Sequence, residues 1–155
     1  MNRTGVYWQL YIDGASRGNP GLSGVGIVIL KNGTPFLKKG FFLGIKTNNQ
    51  AEYYGLLFAL FLLKDFYKEG DNVRFFSDSQ LLVRQLNGMY QVRNAGIYPL
   101  FFLAQKELRV YSGSVTHIMR EENKEADAMA NKGVDDKVVP HEDILKWLHA
   151  HGITV

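Results

Sequence analysis

The first apolar block, Gly5 to Ile12, holds Val6, Tyr7, Trp8, Leu10, Tyr11 and Ile12, residue types that suit a buried β-strand. It stops at a carboxylate, Asp13. The stretch Gly14 to Gly21, with Gly14, Gly18, Asn19, Pro20 and Gly21, predicts a sharp turn with exposed backbone N–H groups that lets a phosphate approach closely. A second apolar run, Val25 to Leu30, predicts the next strand, Lys31 to Thr34 a hairpin turn, and Pro35 to Leu43 a third strand, so that the first three strands form an antiparallel meander.

The period then changes from strand to helix. Thr47, Asn48, Asn49 and Gln50 offer caps for a helix over Ala51 to Glu69 ended by Gly70, its apolar face broad enough to meet a sheet on one side and a helix on the other. Asn72 to Asp78 is a second strand that runs into an aspartate, and Asp78 or Ser79 caps a helix over Gln80 to Leu86. After a loop from Asn87 to Gly96, the pattern predicts a helix over Pro99 to Val110, a strand over Ser114 to Arg120 and a helix over Asn123 to Lys132 closed by Gly133. Three strands, then helices and strands in alternation, describe an α/β domain with a mixed sheet. We expect residues 1–137 to form the main domain and residues 138–155 a tail, whose Ile144, Leu145, Trp147 and Leu148 predict a short amphipathic helix ended by Gly152 and packed on the core.

Composition narrows the class. With 155 residues, 46% of them hydrophobic, the chain can bury a core without staples. The absence of Cys excludes disulfides and thiolate metal sites. The longest apolar run, Leu56 to Leu63, is too short to span a bilayer, and no apolar signal region precedes the first strand, so a soluble, intracellular, cytoplasmic protein is expected. A formal charge of +3 and a sequence pI near 9.1 allow a polyanionic partner without requiring one.

The candidate chemistry lies in the acids. Asp13 and Asp78 both fall at strand ends, where open α/β sheets bind ligands, while Glu52 and Asp127 lie near the starts of helices. Each alone reads equally as an ordinary residue, Glu52 or Asp127 as a helix charge and Asp78 as a cap. Brought together, four carboxylates repel one another unless a cation neutralises them. An all-oxygen ligand set favours Mg²⁺ or Mn²⁺, and two such ions polarise a phosphodiester and activate a water.

Four segments carry a resemblance. Tyr-Ile-Asp-Gly-Ala-Ser-Arg-Gly-Asn-Pro-Gly at 11–21, Thr-Asn-Asn-Gln-Ala-Glu-Tyr at 47–53, Ser-Asp-Ser-Gln at 77–80 and Asn-Lys-Glu-Ala-Asp-Ala-Met-Ala at 123–130 resemble, in order, the active-site motifs of type 1 ribonuclease H. The resemblance implies a ribonuclease H-like mixed five-stranded sheet in order 3-2-1-4-5, with strand 2 antiparallel and helices flanking it. It implies two-metal-ion, endonucleolytic hydrolysis of the RNA strand of RNA–DNA hybrids, leaving 5′-phosphate and 3′-hydroxyl ends. A monomer that needs no protein partner and no membrane is expected. Asp13, Glu52, Asp78 and Asp127 would hold two Mg²⁺ ions, or Mn²⁺, with Asp13 between them and Glu52 near the RNA 2′-hydroxyl. Ser16, Asn19, Asn48 and Gln80 would face the minor groove of the hybrid, where the 2′-hydroxyl separates RNA from DNA, and Thr47 and Asn49 would face backbone phosphates. A broader nuclease that also cuts double-stranded RNA and a non-catalytic hybrid-binding module are the alternatives.

The chain departs from the family pattern twice. The segment from Asn87 to Gly96 has one basic residue where some members carry a basic protrusion that grips the duplex. Many bacterial members place a loop His before the last acidic helix; here that stretch is Met119-Arg120-Glu121-Glu122, and Glu121 or Glu122 is expected to take a proton-transfer or product-release role, with His117 packed in its strand. The complete motif set and the start at Met1 suggest a free-standing enzyme.

Overall fold

The computed structural model describes residues 5–155; the N-terminal expectation over Met1 to Thr4 lies outside them. The strands are β1 (Tyr7–Gly18), β2 (Gly21–Lys31), β3 (Thr34–Lys46), β4 (Asn72–Ser77) and β5 (Ser114–His117), and the helices α1 (Asn48–Leu63), α2 (Gln80–Leu86), α3 (Tyr98–Val110), α4 (Lys124–Asp135) and α5 (Glu142–Ala150). They build one five-stranded sheet in the order β3-β2-β1-β4-β5. β2 runs antiparallel to both of its neighbours, while β1, β4 and β5 are mutually parallel.

Register explains where the sheet opens. The parallel pairing of β1 with β4 ends at Ile12 and Ser77, but the antiparallel pairing of β1 with β2 continues to Gly18 and Gly21. Beyond Ile12 the β1–β2 hairpin therefore projects without a neighbour on its β4 side. Asp13 is the first residue past that divide, and Asp78 follows the last residue of β4. The expected turn over Gly14 to Gly21 is corrected: Gly14 to Gly18 remain in the strand, and Asn19 and Pro20 alone make the reversal.

Glycines let two helices lie directly on the backbone of the sheet. A Cβ at Gly14 would stand 2.3 Å from the Ala51 carbonyl carbon and 2.4 Å from the Glu52 nitrogen, so α1 begins against β1 only because no side chain intervenes. On the other face, a Cβ at Gly26 would come within 1.9 Å of the Ala126 oxygen, and one at Gly40 within 2.1 Å of the Met129 oxygen. Gly26 pairs with both Gly40 and Asp13. The glycine row thus seats α4 beside the acid.

The core fills the α1 side, with Trp8, Leu10, Ile12, Ile27, Ile29, Tyr53, Leu56, Leu57, Phe58 and Phe75 all at most 2% exposed. α1 is buried around most of its circumference and stops at Leu63 rather than reaching Glu69, its last residues giving way to turns. Likewise β5 ends at His117, because Arg120 to Glu122 form a single 3-10 turn. Gly133 does not close the last helix: α4 runs on to Asp135, and Gly133 packs against the Phe41 backbone. Residues 87–97 contain no helix. α5 buries Ile144 and Leu148 in the main core, joined by Ile153, and Trp147 tilts over Phe61 with ring centroids 5.3 Å apart. Among the described residues no helix is long and apolar enough to cross a membrane.

Candidate active site

An open cleft of about 580 Å³ lies where the hairpin arm parts from β4. Carboxylate oxygens of Asp13, Glu52 and Asp78 lie within 4.8 Å of one another, and Asp127 lines the same hollow from α4. Asp13 is 5% exposed; Glu52 and Asp78 are half-buried and Asp127 is exposed. Each is placed differently. The Gly14 N–H donates to Glu52 Oε2 at 3.2 Å, so the strand backbone that makes room for α1 also aims its acid. Asp78 is spared from capping, since Ser79 Oγ accepts from the Leu82 N–H at 3.1 Å and starts α2 itself.

The acids strain against their surroundings. Burial above all, then the charge of Asp78 and a side-chain hydrogen bond with Asp127, push the Asp13 carboxyl up to about 8, against the opposing pull of the Gly14 N–H. Burial and the charges of Asp13 and Asp78 hold the Glu52 carboxyl well above its ordinary range. Among the described residues no lysine or arginine forms an ion pair with any of the four. A pocket of crowded oxygen donors without a protein cation fits a hard divalent ion.

The polar residues divide. Ser16, Asn19, Asn48 and Asn49 line the cleft. Ser16 Oγ donates to the Gly18 and Lys46 carbonyls, and Asn19 Oδ1 accepts from the Asn48 N–H at 3.1 Å, tying the hairpin tip to the start of α1. Asn49 Oδ1 is buried without a partner. Thr47 lies outside the lining: it closes a reciprocal capping box with Gln50. Gln80 faces an adjoining hollow of about 190 Å³ with Arg84, Asn87 and His117. Glu121 and Glu122 are not brought to the acids. They border a separate hollow of about 260 Å³ with Tyr11 and Val28, and Glu122 Oε1 accepts from the Met119 N–H at 3.2 Å. This geometry lends the loop role expected for them no support, since Arg120 of the same turn is the residue that lines the cleft.

Besides Arg120, Asn123 carried no assigned role in the sequence. Asn123, 1% exposed, donates from Nδ2 to the Ile12 carbonyl at 2.9 Å and to Asp78 Oδ2 at 3.5 Å. It precedes α4 without capping it by its side chain, and so joins the strand ahead of Asp13 to the acid after β4. In the sequence it stands only as the first residue of the predicted helix over Asn123 to Lys132.

Comparison with known proteins fixes the family. The family described as reverse transcriptase-like matches residues 11–133. Ribonuclease HI of Halobacterium salinarum is 39% identical over 128 residues, which are 81% of this chain and 63% of that one. The crystal structure of RNase H1 from the same archaeon superposes with a TM-score of 0.79 at 37% identity, covering 84% of this chain and 98% of the solved one. The chain belongs to the type 1 ribonuclease H family. LC11-RNase H1, solved in complex with an RNA/DNA hybrid, gives a TM-score of 0.77 at 32% identity over 83% of this chain and 97% of its own. The chain spans 63% of the length of the halobacterial ribonuclease H relative and 34% of the mycobacterial ones. The order β3-β2-β1-β4-β5 is the one the resemblance implies, on a fold that superposes on that RNase H1 structure.

Proposed function

We propose that this chain hydrolyses the RNA strand of RNA–DNA hybrids, with Asp13, Glu52, Asp78 and Asp127 as the catalytic, metal-holding acids. The observation that carries this reading is the meeting of three carboxylates within 4.8 Å in an open cleft, in a chain whose relatives are ribonucleases H. Bound Mg²⁺ or Mn²⁺, two ions per site, would polarise the scissile phosphate and lower the pKa of an attacking water.

The protein's part is placement. Asp13, buried at the divide between β1 and β4, presents its carboxylate to the centre of the cluster. Glu52 and Asp78 flank it, and Asp127 closes the α4 side. Because Asp13 and Glu52 are fixed by burial and by strand and helix backbones, their positions need no reorganisation when the phosphate arrives. Ser16, Asn19 and Asn48, on the cleft wall, supply hydroxyl and amide groups suited to the minor groove and its 2′-hydroxyl. Asn49, whose buried Oδ1 lacks a partner, faces the same wall, with Thr47 behind it as the cap that sets the start of α1 and Gln80 beyond the opposite rim. On the same reading the protein works as a monomer in the cytoplasm.

Matched hybrid, double-stranded RNA and single strands, each incubated with and without Mg²⁺ or Mn²⁺, test the reading. Cleavage of the RNA strand of the hybrid alone, to 5′-phosphate and 3′-hydroxyl ends, is expected; intact hybrid with both ions overturns it.

A further inference from the structure

Asp127 differs from its companions in being exposed. Burial and a backbone N–H set the positions of Asp13 and Glu52, but neither acts on Asp127. Besides its side-chain hydrogen bond with Asp13, Asp127 is touched by Asn131, one helical turn on. Asn131 Nδ2 donates to the Asp127 carbonyl at 3.0 Å and to Asp127 Oδ1 at 3.3 Å. Its Oδ1 accepts from Arg17 Nη2 at 3.3 Å, and its main-chain oxygen lies 3.4 Å from the same nitrogen. Arg17 Nη2 also pairs with Asp135 Oδ1 at 2.6 Å.

The arrangement has one consistent orientation. A carbonyl and a carboxylate only accept, and a guanidinium only donates, so the Asn131 carboxamide must turn its NH₂ toward Asp127 and its oxygen toward Arg17. Asp127, Asn131 and Asp135 fall on one stripe of α4 at i, i+4 spacing. Arg17 reaches that stripe from the hairpin arm, between the cleft-lining Ser16 and Asn19. We propose that Asn131 is a positioning residue for Asp127, and that Arg17 acts through it, locking the amide so that the Asp127 carboxylate stays turned into the cleft. The hairpin that carries candidate hybrid contacts is thereby coupled to the fourth acid.

This role is separable from stability. The Arg17 and Asp135 side chains are 43% and 60% exposed, and exposed ion pairs of this kind contribute little to folding. The effect therefore belongs in metal affinity. The inference rests on Asp127 being a metal-holding acid, and the test separates the two ideas. Mn²⁺ is titrated calorimetrically into the free protein, without hybrid, for the parent, Asp13→Asn, Asn131→Leu, Arg17→Ala, the Asn131→Leu/Arg17→Ala double variant and the surface control Lys132→Ala. Parent binding lost in Asp13→Asn supports the metal reading, and no binding by the parent overturns it along with the inference. Asn131→Leu is expected to weaken binding about fivefold and Arg17→Ala about twofold, with the double variant no weaker than Asn131→Leu alone, because residues acting in series do not add. Metal-free melting temperatures should stay within about 2 °C of the parent, and Lys132→Ala, whose amine among the described residues pairs only with Asp136, should change neither quantity. Unchanged Mn²⁺ affinity in Asn131→Leu, or additive losses in the double variant, overturns the inference even when the parent binds.

Discussion

The two helix-borne acids reach the same cleft by opposite means. Glu52 stands in the first turns of a helix pressed onto Gly14, with its carboxylate held by that residue's own N–H; its position follows from backbone contact. Asp127 sits on a helix equally close to the sheet at Gly26, yet its carboxylate is exposed and is held by the Asn131 side chain. A backbone clamp tolerates no change in the glycine, whereas a side-chain clamp can be loosened without disturbing the fold. One acid is thus fixed by packing and the other by a polar relay, and substitutions at the two should separate folding from function.

The largest effect is expected at the acid both clamps serve. Asp13→Asn should reduce hybrid cleavage by at least about a thousandfold, since a metal's stabilisation of transition-state charge is worth several kcal/mol and each ~1.4 kcal/mol is tenfold, while raising the metal-free melting temperature because the acid that burial penalises is gone; cleavage rates and calorimetric melts check both halves. Gly14→Ala comes next. With backbone atoms 2.3–2.4 Å from the added Cβ, α1 must shift, and a melt lowered by about 5 °C or more is expected together with lost cleavage, since relief of such overpacking costs roughly 1–3 kcal/mol. If Gly14→Ala melts like the parent, the backbone clamp on Glu52 is wrong. Deleting Pro140 to Val155 should lower the melt by several degrees through loss of Ile144, Leu148 and Ile153 from the core, with the cleft acids untouched.

Smaller, and confined to the metal-free protein, is a dependence on pH. Burial and the neighbouring acids push the Asp13 carboxyl up to about 8 from its ordinary 3.8, and Glu52 is shifted the same way. An acid whose pKa is raised by folding stabilises fully below its unfolded value and loses that contribution as pH rises toward the folded value. The metal-free melt should therefore fall between about pH 4 and pH 8, and the fall should flatten in Asp13→Asn. The smallest effect is expected from Glu121→Gln and Glu122→Gln, whose side chains border a different hollow; near-parental turnover in both is the expected outcome of steady-state assays.

Most of the fold was legible because its signals are local. Alternating apolar runs marked the strands, and Thr47 and Ser79 announced their helices by capping chemistry. The misjudged points were those decided by distant contacts. Gly14 resembles a turn residue, but pairing with β2 keeps it in the strand. Gly133 resembles a helix stop, yet it is demanded by the Phe41 backbone across the layer. The four acids were legible as a motif set, but which face of its turn each neighbouring residue would occupy was not. Glu121 and Glu122 look suited to a role beside the acids, and a single 3-10 turn sends Arg120 there instead. Asn123 and Asn131 do their work through side chains from elsewhere in the chain or one turn away, which no local pattern reveals.

The central claim is that the carboxylates meet to hold divalent cations that relieve their mutual repulsion. Melting at pH 8 with rising Mn²⁺, in the parent and in Asp13→Asn, tests it most directly, because a ligand bound only by the folded state raises stability with its concentration. The parent should melt progressively higher as Mn²⁺ is added, while Asp13→Asn starts higher and responds little. Equal Mn²⁺-induced shifts in the two proteins would contradict the account.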